Sequence, residues 1–200
     1  DPESKWQIHQ TSIKPWPCCR HTHPAIDAAM EISSKIDGDF PESIAVGVTQ
    51  ATIDVCDNPI PETVYEAKFS VQHCVSVAML SGKVGFDSFE SEARRLTAPL
   101  NKTITLHCDV KFEQRYPEAW GADIKAEMKG GNVIIAQRDN AKGDPDAPLS
   151  PMEMKEKAVK LFTHAGIKEP LEWIEKILCI HKDNSSFSEN ELYHLLGLKA

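Results

Sequence analysis

The feature that most constrains the fold is a change in the spacing of apolar residues near residue 150. Before it, segments with the two-residue period of a strand alternate with segments of helical period, and after it only the helical period continues. The turn-rich run Gly143-Asp-Pro-Asp-Ala-Pro148 lies between the two parts and is interpreted as a linker. We therefore expect an α+β domain over residues 1–149 and a helical segment over residues 150–200.

Four segments predict the strands of the first domain, and the first of them is rich in Val, Ile and Thr with partial alternation. They cover residues 43–56, 103–112, 123–129 and 132–138, and a short extended segment is expected at residues 8–14. Gly130 and Gly131 separate the last two strands, and paired glycines are typical of a tight hairpin turn. These segments predict an antiparallel sheet with helices packed on it.

Helices are predicted where capping residues precede apolar residues at helical spacing. The predicted helices of the first domain run from Pro24 to Gly38, from Thr63 to Gly82 and around residues 89–96. Thr63 and Glu66 form a capping box, in which each side chain bonds a free amide of the first turn, and the helix that follows is expected to be largely buried. Capping boxes at residues 150–153 and 188–191 open helices of the second part.

The composition excludes several classes of protein. With 41% hydrophobic and 26% charged residues, the chain has enough apolar side chains for a packed core, so disorder is not expected. A formal net charge of −8 argues against a nucleic-acid partner, which would require a surplus of basic residues. No apolar run reaches the roughly 20 residues that cross a bilayer, so no membrane association is expected.

Cysteine usage and the first residue bear on the cellular context. Six cysteines without the regular spacing of a secreted disulfide framework predict reduced thiols. We expect a cytoplasmic protein, with the mitochondrion as the alternative in a eukaryotic cell. Because residue 1 is Asp and not Met, the chain is expected to begin inside a longer gene product or after processing.

One stretch of the chain is basic although the whole chain is acidic. Between Ser4 and Ile26 there is no Asp or Glu, whereas Lys5, Lys14 and Arg20 all lie there. The first predicted helix begins at the end of this basic stretch, so its free amides would face the same region. The arrangement predicts a site for a carboxylate anion, and a solvated loop without function is the alternative.

Metal binding is a further alternative for the same stretch. Cys19, His21 and His23 alternate, so an extended backbone would project them to one side, as at the start of a zinc site. Structural zinc sites need a second pair of ligands, and no comparable pair follows in the sequence. We therefore predict no metal and no organic cofactor, and simple packing is the alternative for Cys18 and Cys19.

Other polar residues give weaker indications. His73 lies inside the second predicted helix and is a candidate acid or base, with a hydrogen-bonded core histidine as the alternative. His107 and Asp109 alternate on a predicted strand without a third partner, so no function is assigned to them. The carboxylate pairs Asp144/Asp146 and Glu153/Glu156 are interpreted as solvated, and the sequence contains no nucleophile elbow or phosphate-binding glycine loop.

Residues 14–27, Lys-Pro-Trp-Pro-Cys-Cys-Arg-His-Thr-His-Pro-Ala-Ile-Asp, are similar to the K-P-x-P-x-C-x-x-T-H-P-A-I-D motif of the MmgE/PrpD family. This family includes 2-methylcitrate dehydratases and cis-aconitate decarboxylases. Residues 67–74, Ala-Lys-Phe-Ser-Val-Gln-His-Cys, resemble its A-x-F-S-x-x-Y/H segment, and residues 143–150 resemble its G-x-P-x-x-P-L-S turn. The resemblance extends over most of residues 8–165 and indicates the carboxy-terminal part of such a protein.

The resemblance implies an α+β lid, inserted between the two halves of a large helical domain, with the active site in the cleft between them. Lys14 matches the family's lysine that approaches substrate carboxylates, and His73 matches a position where many members carry tyrosine. Cys19 matches a position that is histidine in the cis-aconitate decarboxylases, which argues against itaconate formation. Arg20, His21 and His23 are the further residues expected to bind substrate, together with Cys19.

The resemblance therefore implies a lyase, as dehydratase, decarboxylase or epimerase, acting on a small di- or tricarboxylate such as 2-methylcitrate. The full-length protein is expected to be a homodimer, and the chain without the amino-terminal helical domain is expected to be inactive. Two alternatives from other classes stay open at this point. One is a non-catalytic module for anion binding or assembly, and the other is a zinc-stabilised domain.

Overall fold

The structure is a computed structural model that describes residues 7–36, 38 and 40–179. Contacts within the chain divide it into two compact units, Asp1–Pro148 and Leu149–Ala200. The first combines helices with a four-stranded sheet, which confirms the predicted mixture of strands and helices. The second contains only helices in its described part.

The sheet of the first unit has four strands in the order β2-β1-β3-β4. The strands are β1 Ser43–Val48, β2 Ile104–Cys108, β3 Ala122–Glu127 and β4 Val133–Arg138. β3 pairs antiparallel with β1 and with β4, whereas β1 and β2 are parallel. The sheet is therefore mixed rather than wholly antiparallel, because β1 reaches β2 through a long helical crossover.

The helices of the first unit are short. They are α1 His23–Ser33, α2 Gln50–Cys56, α3 Val64–Lys68, α4 Val71–Ser81, α5 Ser91–Asn101 and α6 Val110–Glu113. Three 3₁₀ turns accompany them, at Gln7–Gln10, Arg20–Thr22 and Asp87–Phe89. The first of these turns occupies part of the segment that was expected to be extended.

Two predicted strands end earlier in the structure than expected, and one predicted helix is divided. The strand expected over residues 43–56 ends at Val48, because the Thr49 side chain accepts a hydrogen bond from the Thr52 amide and starts α2. The strand expected over residues 103–112 ends in the same way, with Asp109 as the cap of α6. The helix expected from Thr63 to Gly82 is divided, because Ser70 caps a new helix, α4.

Other local predictions are confirmed. The capping box of Thr63 and Glu66 is present at α3. Gly130 and Gly131 both have positive φ, as the hairpin turn between β3 and β4 requires. The first helix begins one residue earlier than predicted, at His23, and Pro24 occupies its first turn.

The core of the first unit lies between one face of the sheet and α1, and it continues between α1 and α4. Ile44, Val46 and Val48 of β1 alternate toward this side, and Ile26 and Ile32 of α1 are also fully or almost fully buried. Arg138 of β4 ties α1 to the sheet through Asp27 and Glu31. This places the first residue of α1, and the basic stretch before it, at a defined point beside the core.

The Arg138 guanidinium explains one residue of the motif at positions 14–27. Its Nε donates to Oδ2 of Asp27 over 2.8 Å, and its Nη1 donates to Oε2 of Glu31 over 2.7 Å. Hydrogen bonds from Lys35 and from Arg138 lower the pKa of Glu31. Asp27 therefore anchors α1 to the edge strand β4.

The second unit contains α7 Pro151–His164 and α8 Pro170–Cys179. The predicted capping box at the start of α7 is confirmed, with Ser150 as the cap and Glu153 as its reciprocal partner. Lys155 and Glu175 join the two helices through an ion pair of 3.0 Å. The capping box predicted at residues 188–191 lies outside the described residues. Among the helices that the structure describes, none has the length and apolar character needed to cross a bilayer.

Candidate functional site

Residues 11–19 lead into α1 without regular secondary structure, and they end in the 3₁₀ turn Arg20–Thr22. The Cys19 amide donates to the carbonyl of Lys68 over 2.9 Å, which attaches the segment to the end of α3. The Thr22 hydroxyl and amide both donate to the carbonyl of Cys19, over 2.8 and 3.1 Å, and so close the turn. These bonds hold the backbone in place and leave the intervening side chains to form the site.

Lys14 lies on the exposed side of this segment. Its Nζ donates to the carbonyl of Cys18 over 3.1 Å. A carbonyl is a neutral acceptor, so this contact orients the ammonium without cancelling its charge. The position suits electrostatic attraction of an anion at the surface of the first unit.

Arg20 is held by two partners. Its Nε and Nη2 donate to the two carboxylate oxygens of Asp144 over 2.9 and 2.5 Å, and its guanidinium lies 4.0 Å from the ring centroid of Trp120. A bidentate pair with an aromatic platform fixes the direction of the guanidinium plane. Asp144 neutralises the Arg20 charge. Arg20 therefore contributes to the structure of the site and offers no free charge to a ligand.

Asp144 corrects a prediction. The run of residues 143–148 was interpreted as a linker with solvated carboxylates, but Asp144 is only 7% exposed. The Gly143 carbonyl accepts the Ile13 amide over 2.8 Å, so the run packs against the segment that carries Lys14. The interpretation of Asp144 as solvated is therefore wrong, and this turn supports the basic stretch.

His21 also contacts the Trp120 indole. Its ring centroid is 4.3 Å from that of Trp120 and 6.3 Å from that of Tyr116. Its Nδ1 is 3.4 Å from Sγ of Cys19, whereas its buried Nε2 has no hydrogen-bond partner among the described residues. The structure thus brings Cys19 and His21 together and places Arg20 and His21 on one aromatic platform.

His23 is placed differently from its neighbours in the motif. It is the first residue of α1 and only 1% exposed. Its ring meets Trp16 edge to face at a centroid distance of 5.2 Å. Its Nε2 is buried without a partner among the described residues. The structure therefore puts His23 beneath the surface that carries Lys14 and Arg20, and not on that surface.

His73 is fully buried in α4 and both of its ring nitrogens are occupied. Nδ1 is 2.9 Å from the Thr97 hydroxyl and Nε2 is 2.8 Å from the carbonyl of Ser88. The neutral ring with its proton on Nε2 satisfies both contacts. Burial lowers the pKa of His73, and the nearby Arg94 charge acts in the same direction. Its partners lie outside the basic stretch, and the contacts fit the alternative of a hydrogen-bonded core histidine.

Cys74 and Cys56, which the sequence analysis did not single out, are the thiol partners of Cys18 and Cys19 in the basic stretch. Burial raises the pKa of the Cys18 thiol, but hydrogen bonds with Cys74 and His23 outweigh this and lower that pKa to about 5. A hydrogen bond with Cys56 lowers the pKa of Cys19 to about 4 against the effect of burial. The pairs Cys18–Cys74 and Cys19–Cys56 therefore favour the thiolate form of the motif cysteines, Cys18 and Cys19.

Cys19, His21 and Cys56 also form a group of three metal-binding atoms. All three atoms lie within 4.8 Å of one another. Cys56 is the last residue of α2 and is buried, whereas Cys19 and His21 are partly exposed. This convergence was not predictable, because residues 50–56 were expected to continue a strand and not to form the helix that carries Cys56 inward.

A second polar group lies on the sheet, on the side opposite α1. His107, Asp109 and Asp123 each place one ligand atom within 4.8 Å of the other two. Gly47 lies between them in the register, paired with His107 on one side and with Asp123 on the other. A side chain at Gly47 would meet Nε2 of His107 at 3.2 Å, so this glycine leaves room for the group. Asp123 is the third partner that the sequence did not reveal.

Comparison with known proteins supports the likeness seen in the motifs. Residues 16–180 match the family model described as the MmgE/PrpD C-terminal domain. A search of curated proteins found no match.

Proposed function

Because the chain belongs to the MmgE/PrpD family and matches its carboxy-terminal domain, we propose that it forms one wall of the active site of a lyase-type enzyme. The proposed substrate is a small di- or tricarboxylate such as 2-methylcitrate, as the resemblance of residues 14–27 implies. In this proposal the opposite wall is the family's amino-terminal helical domain, and the complete enzyme is a homodimer.

The exposed Lys14 ammonium is the single observation that carries the proposal. It projects from a stretch without any acidic residue in a chain whose net charge is −8. Its contact with the Cys18 carbonyl holds the amine in one direction and leaves its charge available. A substrate carboxylate would meet a fixed positive charge at this point, which favours binding in one orientation.

The reaction class needs such a charge. Removal of a proton from the carbon next to a carboxylate builds negative charge on the carboxylate oxygens in the transition state. A preorganised ammonium stabilises that charge more strongly than water does, because it does not have to reorient during the reaction. Lys14 is therefore assigned to the developing enediolate, or to the hydroxyl that leaves.

The neighbouring residues support Lys14 in different ways. Arg20, held by Asp144 and stacked on Trp120, fixes the wall beside the ammonium. His21, which contacts the same indole, is assigned to the substrate's polar groups. His73 is assigned to positioning and not to proton transfer, because both of its ring nitrogens are bonded inside the core.

Dehydration is the proposed reaction in preference to decarboxylation. Cys19 stands at a motif position where the resemblance implies histidine in the cis-aconitate decarboxylases. A thiol cannot replace an imidazole as a proton donor of the same geometry and pKa. The general base and the remaining acid are assigned to the amino-terminal helical domain.

Substitution of Lys14 in the complete protein tests the proposal. Lys14→Ala should lower kcat/KM for 2-methylcitrate by roughly 100-fold or more, because it removes a charge that acts in the transition state. Formation of the unsaturated product gives the rate. The matched control is Lys83→Ala, an exposed lysine outside the motif, which should keep the wild-type rate.

Unchanged turnover of the Lys14→Ala protein, with circular dichroism showing intact folding, would contradict the assignment. If the same substitution altered assembly, the result would favour a non-catalytic anion-binding or assembly module. The 200-residue chain alone should not convert 2-methylcitrate or cis-aconitate. Turnover by that chain alone would contradict the idea of a site completed by another domain.

A further inference from the structure

The convergence of Cys19, His21 and Cys56 has a chemical meaning beyond the carboxylate site. We propose that these three residues bind a thiophilic divalent metal ion of the zinc class through Sγ, Nδ1 and Sγ. Their three atoms already lie within 4.8 Å of one another. The sequence alone predicted no metal, because it showed only Cys19, His21 and His23 and no second cysteine to complete a set.

The distances suit tetrahedral coordination. With zinc–sulfur bonds near 2.3 Å and zinc–nitrogen bonds near 2.0 Å, the sulfur–nitrogen edge of the tetrahedron is roughly 3.5 Å. The observed separation of Cys19 Sγ and His21 Nδ1 is 3.4 Å. The sulfur–sulfur edge is roughly 3.8 Å, and rotation of a cysteine side chain supplies the adjustment from a separation within 4.8 Å.

The three ligands are attached to fixed parts of the fold. The Cys19 backbone is hydrogen bonded to Lys68 over 2.9 Å, and Cys56 ends a helix that is capped by Thr49. The His21 ring is held 4.3 Å from Trp120. Ligands that are positioned before the ion arrives lose little conformational freedom when they bind it.

The guanidinium charge that lies nearest in sequence does not oppose a cation. Arg20 lies between two of the ligands in sequence, but its guanidinium is paired with the Asp144 carboxylate, so its charge is compensated. Binding displaces the proton of the Cys56 thiol to solvent and leaves two thiolates and a neutral imidazole around the ion. This donor set selects zinc, cobalt or a similar ion over magnesium and calcium, which prefer oxygen ligands.

Three protein ligands leave the fourth corner of a tetrahedron for water or for another small ligand. Cys19 and His21 are partly exposed, so the ion has access from solvent on this side of the site. The proposed metal site therefore has one coordination position open to an exchangeable ligand. Its occupation by metal does not rest on the proposed lyase activity and can be measured without turnover.

Cobalt(II) titration of the reduced 200-residue chain is the test, because cobalt reports on its ligands by absorption. The expected result is one cobalt per chain, with a near-ultraviolet thiolate-to-cobalt charge-transfer band and the intense visible bands of tetrahedral coordination, and displacement by zinc. Cys19→Ser, Cys56→Ser and His21→Gln should each weaken binding by at least about 100-fold, because each removes a direct ligand. Proton release on zinc addition should accompany binding.

Two variants serve as matched controls. Cys108→Ser removes an exposed free thiol elsewhere in the unit, and Asp109→Asn disables the oxygen-rich group on the sheet. Both should bind cobalt as the wild type does. Circular dichroism checks the fold of every variant, and Cys19→Ser is the decisive one if Cys56→Ser fails to fold, because Cys19 is only half-buried.

Three outcomes would overturn the proposal. The first is the absence of a charge-transfer band in the reduced chain, and the second is a band that persists in Cys19→Ser. The third is a Cys19–Cys56 disulfide in protein isolated without reductant, seen by mass spectrometry, together with no metal uptake after reduction. Metal binding and lyase activity are measured separately. In Lys14→Ala, loss of lyase activity with intact metal binding would support both proposals, because Lys14 is not a metal ligand.

Discussion

Arg20 and Asp144 lie 124 positions apart in the sequence and form one of the closest polar contacts of the first unit. The Arg20 side chain is 28% exposed and the Asp144 side chain 9%, so water screens the pair only in part. Trp120 stacks on the guanidinium and limits its rotation. Through these contacts the turn at residues 143–148 determines the shape of the basic stretch.

Replacement of Asp144 by Asn should destabilise the protein by about 1–3 kcal/mol, because the half-buried guanidinium loses its charged acceptor. Urea unfolding followed by tryptophan fluorescence gives the free energy of unfolding. The matched control is Asp146→Asn, two residues away and exposed, which should change the free energy of unfolding by less than about 0.5 kcal/mol. Equal effects of the two substitutions would mean that the Arg20 pair contributes nothing measurable.

His73 should make stability depend on pH. In the unfolded chain a histidine titrates near 6.5, and burial lowers the pKa of His73 in the folded protein. Between the two pKa values the unfolded state binds more protons, so the free energy of unfolding falls as pH falls below about 6.5. The fall is complete below the folded-state pKa.

His73→Gln should flatten this dependence, although it lowers stability at neutral pH. Urea unfolding of both proteins between pH 7.5 and pH 5 measures the slope. A wild-type slope in His73→Gln would show that another group is responsible.

Some site residues could be predicted from the sequence and others could not. Lys14, Arg20, Cys19 and His21 share one short segment, so local spacing and the absence of acidic neighbours were enough to single them out. Their partners come from distant segments. Nothing local distinguishes a buried, ion-paired Asp144 from its exposed neighbour Asp146, because the difference arises only when the turn packs against Ile13.

At the scale of elements, helix-capping residues determine where the predicted strands end, which the spacing of apolar residues did not indicate. The segment at residues 43–56 is rich in β-branched residues throughout, which predicts one long strand. Thr49 ends that strand after Val48, because its hydroxyl bonds the Thr52 amide and stabilises a helical turn. The parallel pairing of β1 with β2 was not predictable for a related reason, since it depends on the helices that the crossover contains.

Ser70 divides the second predicted helix and should be more important than the cap of α3. Its hydroxyl accepts the His73 amide over 3.0 Å and donates to the carbonyl of Asn58 over 2.5 Å, at a fully buried position. Ser70→Ala should cost about 2–3 kcal/mol, because it removes both bonds. Thr63→Ala, at an exposed cap, should cost about 1 kcal/mol. Differential scanning calorimetry or urea unfolding ranks the two, and the reverse order would contradict this account.

At the scale of the whole molecule, the two units differ in how they bury apolar surface. The continuous core extends from Trp16 to Ala136 and lies within the first unit. No residue of α7 is buried, and Ile174 of α8 is the buried apolar residue of the second unit among those described. The first unit therefore has the core that independent folding requires.

A chain shortened to end at Pro148 should keep a single cooperative unfolding transition, because the core residues from Trp16 to Ala136 remain. Near-ultraviolet circular dichroism and tryptophan fluorescence follow the transition in urea. The two signals should change together. A gradual loss of signal without a cooperative step would show that residues after Pro148 are needed for the core to form.

The position of β1 in the sheet has a consequence for biosynthesis. Ile44 of β1 pairs with Ile104 of β2 on one side and with Ala126 of β3 on the other. On the ribosome, β1 therefore emerges long before either neighbour, and its apolar face has no strand to join while α2 to α5 are being translated. Pairings between such distant segments form slowly, and the nascent chain exposes apolar surface in the meantime. This order of synthesis leaves the apolar face of β1 open to chaperones until its neighbouring strands have been made.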